Sequence, residues 1–147
     1  MHEFFLEEAL ALAQEAFAAG EVPVGCVIVC ANGEIIGRGR NRREERSCAL
    51  AHAEIIAIEE ACRNFGDWRL QGATLYVTLE PCPMCAGAII NARIPKLYYA
   101  AKDPTMGACG SVTNLFFERF GHSPHVVGGI YEAQASALLS SFFQSLR

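Results

Sequence analysis

The sequence predicts a three-layer α/β/α sandwich whose middle layer is a mixed sheet of about five strands. Three observations predict it. Asn32-Gly33 stands between two apolar runs, a hairpin signal that starts the sheet with an antiparallel pair. The later strand-like runs alternate with helical patterns, which implies crossovers, parallel pairing and helices over both sheet faces. A length of 147 residues, 52% hydrophobic and 19% charged, suits one domain over residues 1–147 with a sizeable core.

In chain order, Glu3 to Ala19 reads as a helix, because Phe5, Ala9, Leu12 and Ala16 recur at helical spacing and Gly20 stops the run. Val24 to Ala31 is a short apolar strand, and Glu34 to Arg40 is its antiparallel partner across the Asn-Gly turn. Ile55, Ile58, Cys62 and Phe65 mark one face of a second helix that ends near Gly66. Thr74 to Leu79 alternates Thr and Tyr with Leu and Val, as a strand does. Pro83 to Ala92 suits a short helix with Pro at its first position. Lys96 to Ala101 and Val126 to Ile130 are strands. Glu132 to Leu146 closes the chain as a helix with Leu138, Phe142 and Leu146 on one side. No repeat, low-complexity tract or linker interrupts this pattern. In such a sheet, chemistry belongs at the carboxyl ends of the strands, where helix N-termini point.

Composition narrows the function classes. No apolar run approaches the ~20 residues of a membrane span, so no membrane role is expected. The Met1 end carries Glu3, Glu7 and Glu8 without Lys or Arg, unlike a secretory signal. Seven cysteines, an odd number, argue for metal binding or plain burial over a disulfide framework, with the cytoplasm as the default compartment. The net charge of −4, taken alone, argues against a nonspecific nucleic-acid binder.

Two short motifs fall at predicted helix starts: His52-Ala53-Glu54, and Pro81-Cys82-Pro83-Met84-Cys85 directly after the Thr74–Leu79 strand and Glu80. Cys82 and Cys85, three apart, are neighbours on one helical face. A helix N-terminus favours thiolate over thiol. Two thiolates want a borderline metal and a further ligand, and His52 supplies a neutral imidazole. The result is a Cys₂His zinc site with a fourth position open to water, which is the catalytic pattern. Glu54 lies two positions after His52. In a helix's first turn its carboxylate can reach the same cavity and take a proton from a metal-activated water, then pass protons to a substrate nitrogen and a leaving group. Neither motif alone is specific; their combination at two helix starts is.

The pattern His-Ala-Glu followed by Pro-Cys-x-x-Cys resembles the zinc-dependent cytidine/deoxycytidylate deaminase superfamily. Within it the chain is most similar to the bacterial tRNA-specific adenosine deaminases. Similar stretches run from Gly20-Glu21-Val22-Pro23-Val24-Gly25, Gly39-Arg40-Asn41 and Ala51-His52-Ala53-Glu54, through Trp68-Arg69-Leu70 and the whole of residues 74–88. They continue to Gly107-Ala108-Cys109-Gly110-Ser111, Val127-Gly128-Gly129-Ile130 and Leu138-Leu139-Ser140-Ser141-Phe142-Phe143. The resemblance implies a cytidine deaminase-like fold and conversion of adenosine to inosine at the wobble position of a tRNA anticodon, with release of ammonia. It implies one Zn²⁺ per subunit held by His52, Cys82 and Cys85, water attack at C6 of a flipped base, and Glu54 as proton shuttle. Asn41 matches an Asn that hydrogen-bonds the flipped nucleoside, Asp103 an acidic position near the ribose and anticodon loop, and Phe143 a C-terminal aromatic beside the bound loop. The family is homodimeric. Each of these three also fits a plain role: Asn41 as a turn cap, Asp103-Pro104 as turn chemistry, Phe143 as core.

The chain departs from the family at two places. Cys48-Ala49-Leu50-Ala51 replaces the common Asp-Pro-Thr-Ala before the metal His, and Gln144, Ser145, Leu146 and Arg147 replace a basic tail. Two competing functions remain. One is a deaminase of a free base or nucleoside, of guanine or cytosine type, which would tolerate a net-negative surface. The other is a noncatalytic zinc-stabilised RNA-binding module, against which Glu54 beside an open metal position argues. Finally, Arg38, Arg40, Arg42, Arg43 and Arg46 cluster beside Asn41 against only Glu44 and Glu45. The cluster is either a solvated face or the local field that draws RNA to the pocket.

Overall fold

The structure, a computed structural model, describes residues 1–147. Its elements are α1 (His2–Ala18), β1 (Gly25–Val29), β2 (Ile35–Arg40), α2 (Arg43–Arg46), α3 (Ala53–Phe65), β3 (Thr74–Leu79), α4 (Pro83–Asn91), β4 (Lys96–Ala101), a 3₁₀ turn at Leu115–Phe117, β5 (His125–Gly128) and α5 (Glu132–Ser145). The five strands lie in the order β2-β1-β3-β4-β5. β1 runs antiparallel to both β2 and β3, and β3, β4 and β5 are parallel. The expected three-layer sandwich on a mixed sheet is what the chain forms. No helix is long and apolar enough to cross a membrane.

Strand alternation divides the core in two. Cys26, Ile28, Leu75, Val77, Leu97 and Tyr99 face α3 and α4 in the larger cluster. Val27, Val29, Tyr76, Tyr98 and Ala100 face the other side, where Phe5 and Leu6 of α1 and Ala135 of α5 cover them. Both faces of the inner strands are therefore apolar, as crossover helices require. All seven cysteines are free thiols.

The register of the second helix differs from the expected one. The face that meets the sheet is Ala53, Ala57 and Ala61, whereas Ile55, Ile58 and Cys62 are half-buried and Phe65 is 41% exposed. The cause lies in β2. A Cβ placed on Gly39 would stand 2.2 Å from the Ala53 carbonyl oxygen and 2.8 Å from the Ala57 nitrogen. The helix rests almost backbone to backbone on the strand, so only alanine fits between them, and the larger apolar residues flank the seam. In α5 the buried positions are Ala135 and Phe142; Leu138 is half-buried and Leu146 is exposed. The four-residue α2 and the 3₁₀ turn carry no apolar period and escape a periodicity reading.

Candidate metal and deamination site

β3 ends at Leu79, and Glu80-Pro81 leads directly into α4. Cys82 is the N-cap of α4, Pro83 its first residue, and Cys85 lies in its first turn. His52 is the N-cap of α3. Both cap residues have extended backbone and neither side chain caps its own helix. Each is free to face the other across the carboxyl end of the sheet.

They do meet. His52 Nδ1 is 3.7 Å from Cys82 Sγ and 3.6 Å from Cys85 Sγ. With zinc bond lengths of about 2.0–2.1 Å to nitrogen and 2.3 Å to sulfur, a tetrahedral edge from nitrogen to sulfur comes to about 3.6 Å. The trio therefore fits that ion, and no further His, Cys, Asp or Glu joins the cluster to close a fourth corner. The electrostatics suit a ligand set. The Cys82 thiol is held down to about 4, first by the hydrogen bond from Cys85 and then by His52, against the opposing effect of burial. Cys85 is pushed up by that same hydrogen bond and by burial. His52 is raised chiefly by its hydrogen bond to Cys82.

Glu54 is 4% exposed in the first turn of α3. Burial, reinforced by the Cys82 charge, raises its carboxyl to about 7, although hydrogen bonds to its backbone and to Cys85 pull the other way. A carboxyl so placed exchanges protons near neutral pH.

Asn41 follows β2 and is buried. Its Oδ1 accepts the Ala53 N–H at 2.9 Å, while its own N–H donates to the Val24 carbonyl at 3.2 Å. It thus caps α3 from outside, in place of the His52 side chain. Because Oδ1 must face that N–H, the amide orientation is fixed, and Nδ2 stands free as a donor to a ligand. The capping role and a binding role use different ends of one amide.

Asp103 follows β4 by two residues. Its Oδ1 accepts the N–H groups of Thr105 and Met106 at 3.0 and 3.2 Å, so it builds its own turn. Its own N–H donates to Glu80 Oε1. Phe143 lies elsewhere. It sits half-exposed on α5, edge-on to Phe142, in the layer of α1 rather than that of α3 and α4. The chain therefore brings together His52, Cys82, Cys85, Glu54 and Asn41, links Asp103 to them through Glu80, and leaves Phe143 across the sheet.

Two buried carboxylates beside the site do not stand out in the sequence. Glu80 is 1% exposed and accepts hydrogen bonds from Asp103, Cys109 and Ser111. Glu21 is 2% exposed and accepts the N–H groups of Glu44 and Glu45, anchoring α2. The available signal was a charged residue standing at the edge of an apolar run in each case. Around α2, Arg38, Arg40, Arg42 and Arg46 join Arg63 of α3 in a hollow of about 290 Å³ that Glu15 and Glu60 also line. Arg40 and Arg42 both pair with Glu45, whereas Arg43, Arg46 and Arg63 pair with no carboxylate.

The MafB19-like deaminase family matches residues 1–147. The chain is 50% identical over 146 residues to the tRNA-specific adenosine deaminase of Bacillus subtilis (strain 168), an alignment covering 99% of this chain and 90% of that protein. A solved structure from studies of A-to-I editing by tRNA:A34 deaminases at the wobble position of transfer RNA superposes with a TM-score of 0.88. It is 46% identical and covers 92% of this chain and 98% of that one. The guanine deaminase of Bacillus subtilis superposes with a TM-score of 0.66 at 44% identity, over 69% of this chain and 65% of that one.

Proposed function

The chain belongs to the MafB19-like deaminase family, and we propose that it hydrolytically deaminates adenosine to inosine at the wobble position of a tRNA anticodon. The observation that carries this reading is the 50% identity, over nearly the full length of both chains, to a tRNA-specific adenosine deaminase. On this reading residues 1–147 are one catalytic domain, and a tRNA substrate puts its work in the cytoplasm.

His52, Cys82 and Cys85 would hold one zinc ion, a role their tetrahedral spacing supports. Zinc held there would supply a water acidic enough to act as a nucleophile at neutral pH. Glu54 would carry two protons in turn: one from the attacking water to the purine N1, then the one left on the new C6 hydroxyl to the amine, which departs as ammonia while the C6 carbonyl forms. Its buried, near-neutral carboxyl suits both directions of transfer. Asn41 presents Nδ2 to an acceptor on the flipped nucleoside, with its orientation set by Ala53. Asp103, whose Oδ1 is committed to its own turn, would offer its other carboxylate oxygen to the ribose and the anticodon loop. Phe143, half-exposed at the far end of α5, suits an outer contact with the bound loop rather than a place in the pocket.

For the homodimer, the contact would use the apolar hollow of about 680 Å³ lined by Leu50, Ile55, Met84, Ala88, Leu115 and Phe120. Leu50 and Phe120 are more than half exposed there. Light scattering should give a dimer, and Phe120→Glu should shift it to monomer; a wild-type monomer at working concentration would remove the homodimer from the reading.

The alternative is deamination of free guanine, favoured by the guanine deaminase likeness. Purified, zinc-quantified protein incubated with an anticodon stem-loop bearing a wobble adenosine should yield inosine after nuclease digestion. Ammonia from free guanine, with no inosine in the stem-loop, would overturn the tRNA reading in favour of the free-base one.

A further inference from the structure

Glu80 is a buried carboxylate two residues before Cys82 that the deamination chemistry leaves without a task. Its Oε1 accepts the Asp103 N–H at 3.1 Å. Its Oε2 accepts the N–H groups of Cys109 at 3.0 Å and Ser111 at 3.1 Å, and the Ser111 hydroxyl also donates to Oε1. Four donors spread over residues 103–111 thus converge on one side chain. The loop closes tightly around it. A Cβ on Gly107 would lie 2.5 Å from Glu80 Oε2 and 2.5 Å from the Asp103 carbonyl oxygen, so only glycine passes there. Gly107 N–H donates to that same carbonyl, and Ala108 N–H donates to the Pro81 carbonyl, both at 2.9 Å. The loop is therefore tied to the short segment that leads into Cys82. Its first residue, Asp103, has one carboxylate oxygen committed to the turn and the other without a protein partner.

We propose that Glu80 is a positioning residue: it fixes the 103–111 loop, and with it the Asp103 carboxylate, at a set place relative to the cysteines of α4, and so governs how the substrate is held. This deepens the reading of the chain as a deaminase whose Asp103 meets the substrate, and rests on it. A carboxylate is needed because all four partners are donors. A glutamine would turn an amide N–H₂ toward backbone N–H groups and free part of the loop.

The test compares Glu80→Gln, Gly107→Ala, Ser111→Ala, Asp103→Asn and the double variant Glu80→Gln/Asp103→Asn on the anticodon stem-loop, with zinc content measured for each. Glu80→Gln should raise KM roughly tenfold and leave kcat within about threefold, with one zinc retained. Gly107→Ala should do the same by displacing the carboxylate, and Ser111→Ala should do less, because it removes one donor of four. Asp103→Asn should lose most of its effect in the Glu80→Gln background, since both act through one group. Amide exchange at Asp103, Cys109 and Ser111 should quicken in Glu80→Gln. Additive losses, an Asp103→Asn variant with unchanged KM, or kcat and zinc falling together in Glu80→Gln would each overturn the proposal in favour of a merely structural carboxylate. If the wild type deaminates only a free purine, the tRNA reading falls, and the same variants measured on that purine decide the role of Glu80.

Discussion

Glu54 and its three neighbours divide the proposed labour so that each can be removed separately. The carboxyl lies against Cys82 and His52 but is outside the cluster of atoms spaced for a metal. Truncating it should therefore spare the metal and stop the proton transfers. Glu54→Ala should keep one zinc per chain and lose roughly 10²–10⁴-fold in kcat, the usual contribution of a positioned acid or base. A variant that forms inosine at the wild-type rate would sink the assigned role. His52→Ala and Cys82→Ala act on the other half of the site. Each leaves two of three protein ligands, so metal analysis after gel filtration should show well under one zinc per chain, and activity should vanish with it. An unchanged zinc equivalent in both variants would contradict the ligand set. Chelation of the wild type should remove activity that added zinc restores.

At the scale of elements, the seam between β2 and α3 decides where His52 stands. Ala53, the residue after His52, presses its carbonyl to within 2.2 Å of where a Gly39 Cβ would be. Gly39→Ala must push the start of α3 off the sheet. We expect a loss of about 2–3 kcal/mol, typical of overpacking, and a Tm lower by about 5–10 °C. Zinc content should fall as well, because His52 moves with the helix; a Gly39→Ala protein with wild-type Tm and zinc would show that the seam has slack. The same seam explains what was legible in the sequence. The order of helices and strands followed from periodicity and turn chemistry, with β3 and β4 at their expected bounds. The buried face of α3 did not, because an apolar stripe reports hydrophobicity, whereas this contact selects for smallness and reads as unremarkable alanine. The His-Ala-Glu and Cys-x-x-Cys motifs were legible because spacing at helix starts carries their geometry. Glu21 and Glu80 carried only the weak signal of a charge at the edge of an apolar run, because nearly all their partners are backbone N–H groups far along the chain, which leave no trace in residue type.

For the whole molecule, the net charge of −4 is a poor guide to what the site attracts. Acidic residues are spread over α1, α3 and the loops, while arginines gather around α2 next to Asn41. Within that group Glu45 already holds Arg40 and Arg42, so those two contribute little free charge. Arg43 and Arg46 pair with no carboxylate, and Arg43 is near enough to His52 to oppose its protonation. The α2 platform that presents them is anchored through its amides by the buried Glu21. Phosphates of a bound loop should therefore meet Arg43 and Arg46 and displace their counterions. Stem-loop binding to the Glu54→Ala protein, which does not consume its ligand, should weaken with salt along a linear log–log slope. For single-stranded contacts each neutralised phosphate contributes about −0.7 to that slope. Arg43→Ala and Arg46→Ala should each weaken binding and flatten the slope by about that amount, with fold and zinc unchanged. A slope near zero in the parent protein, or one that neither substitution alters, would mean that α2 is a solvated face and that the acidic surface is the one the substrate meets.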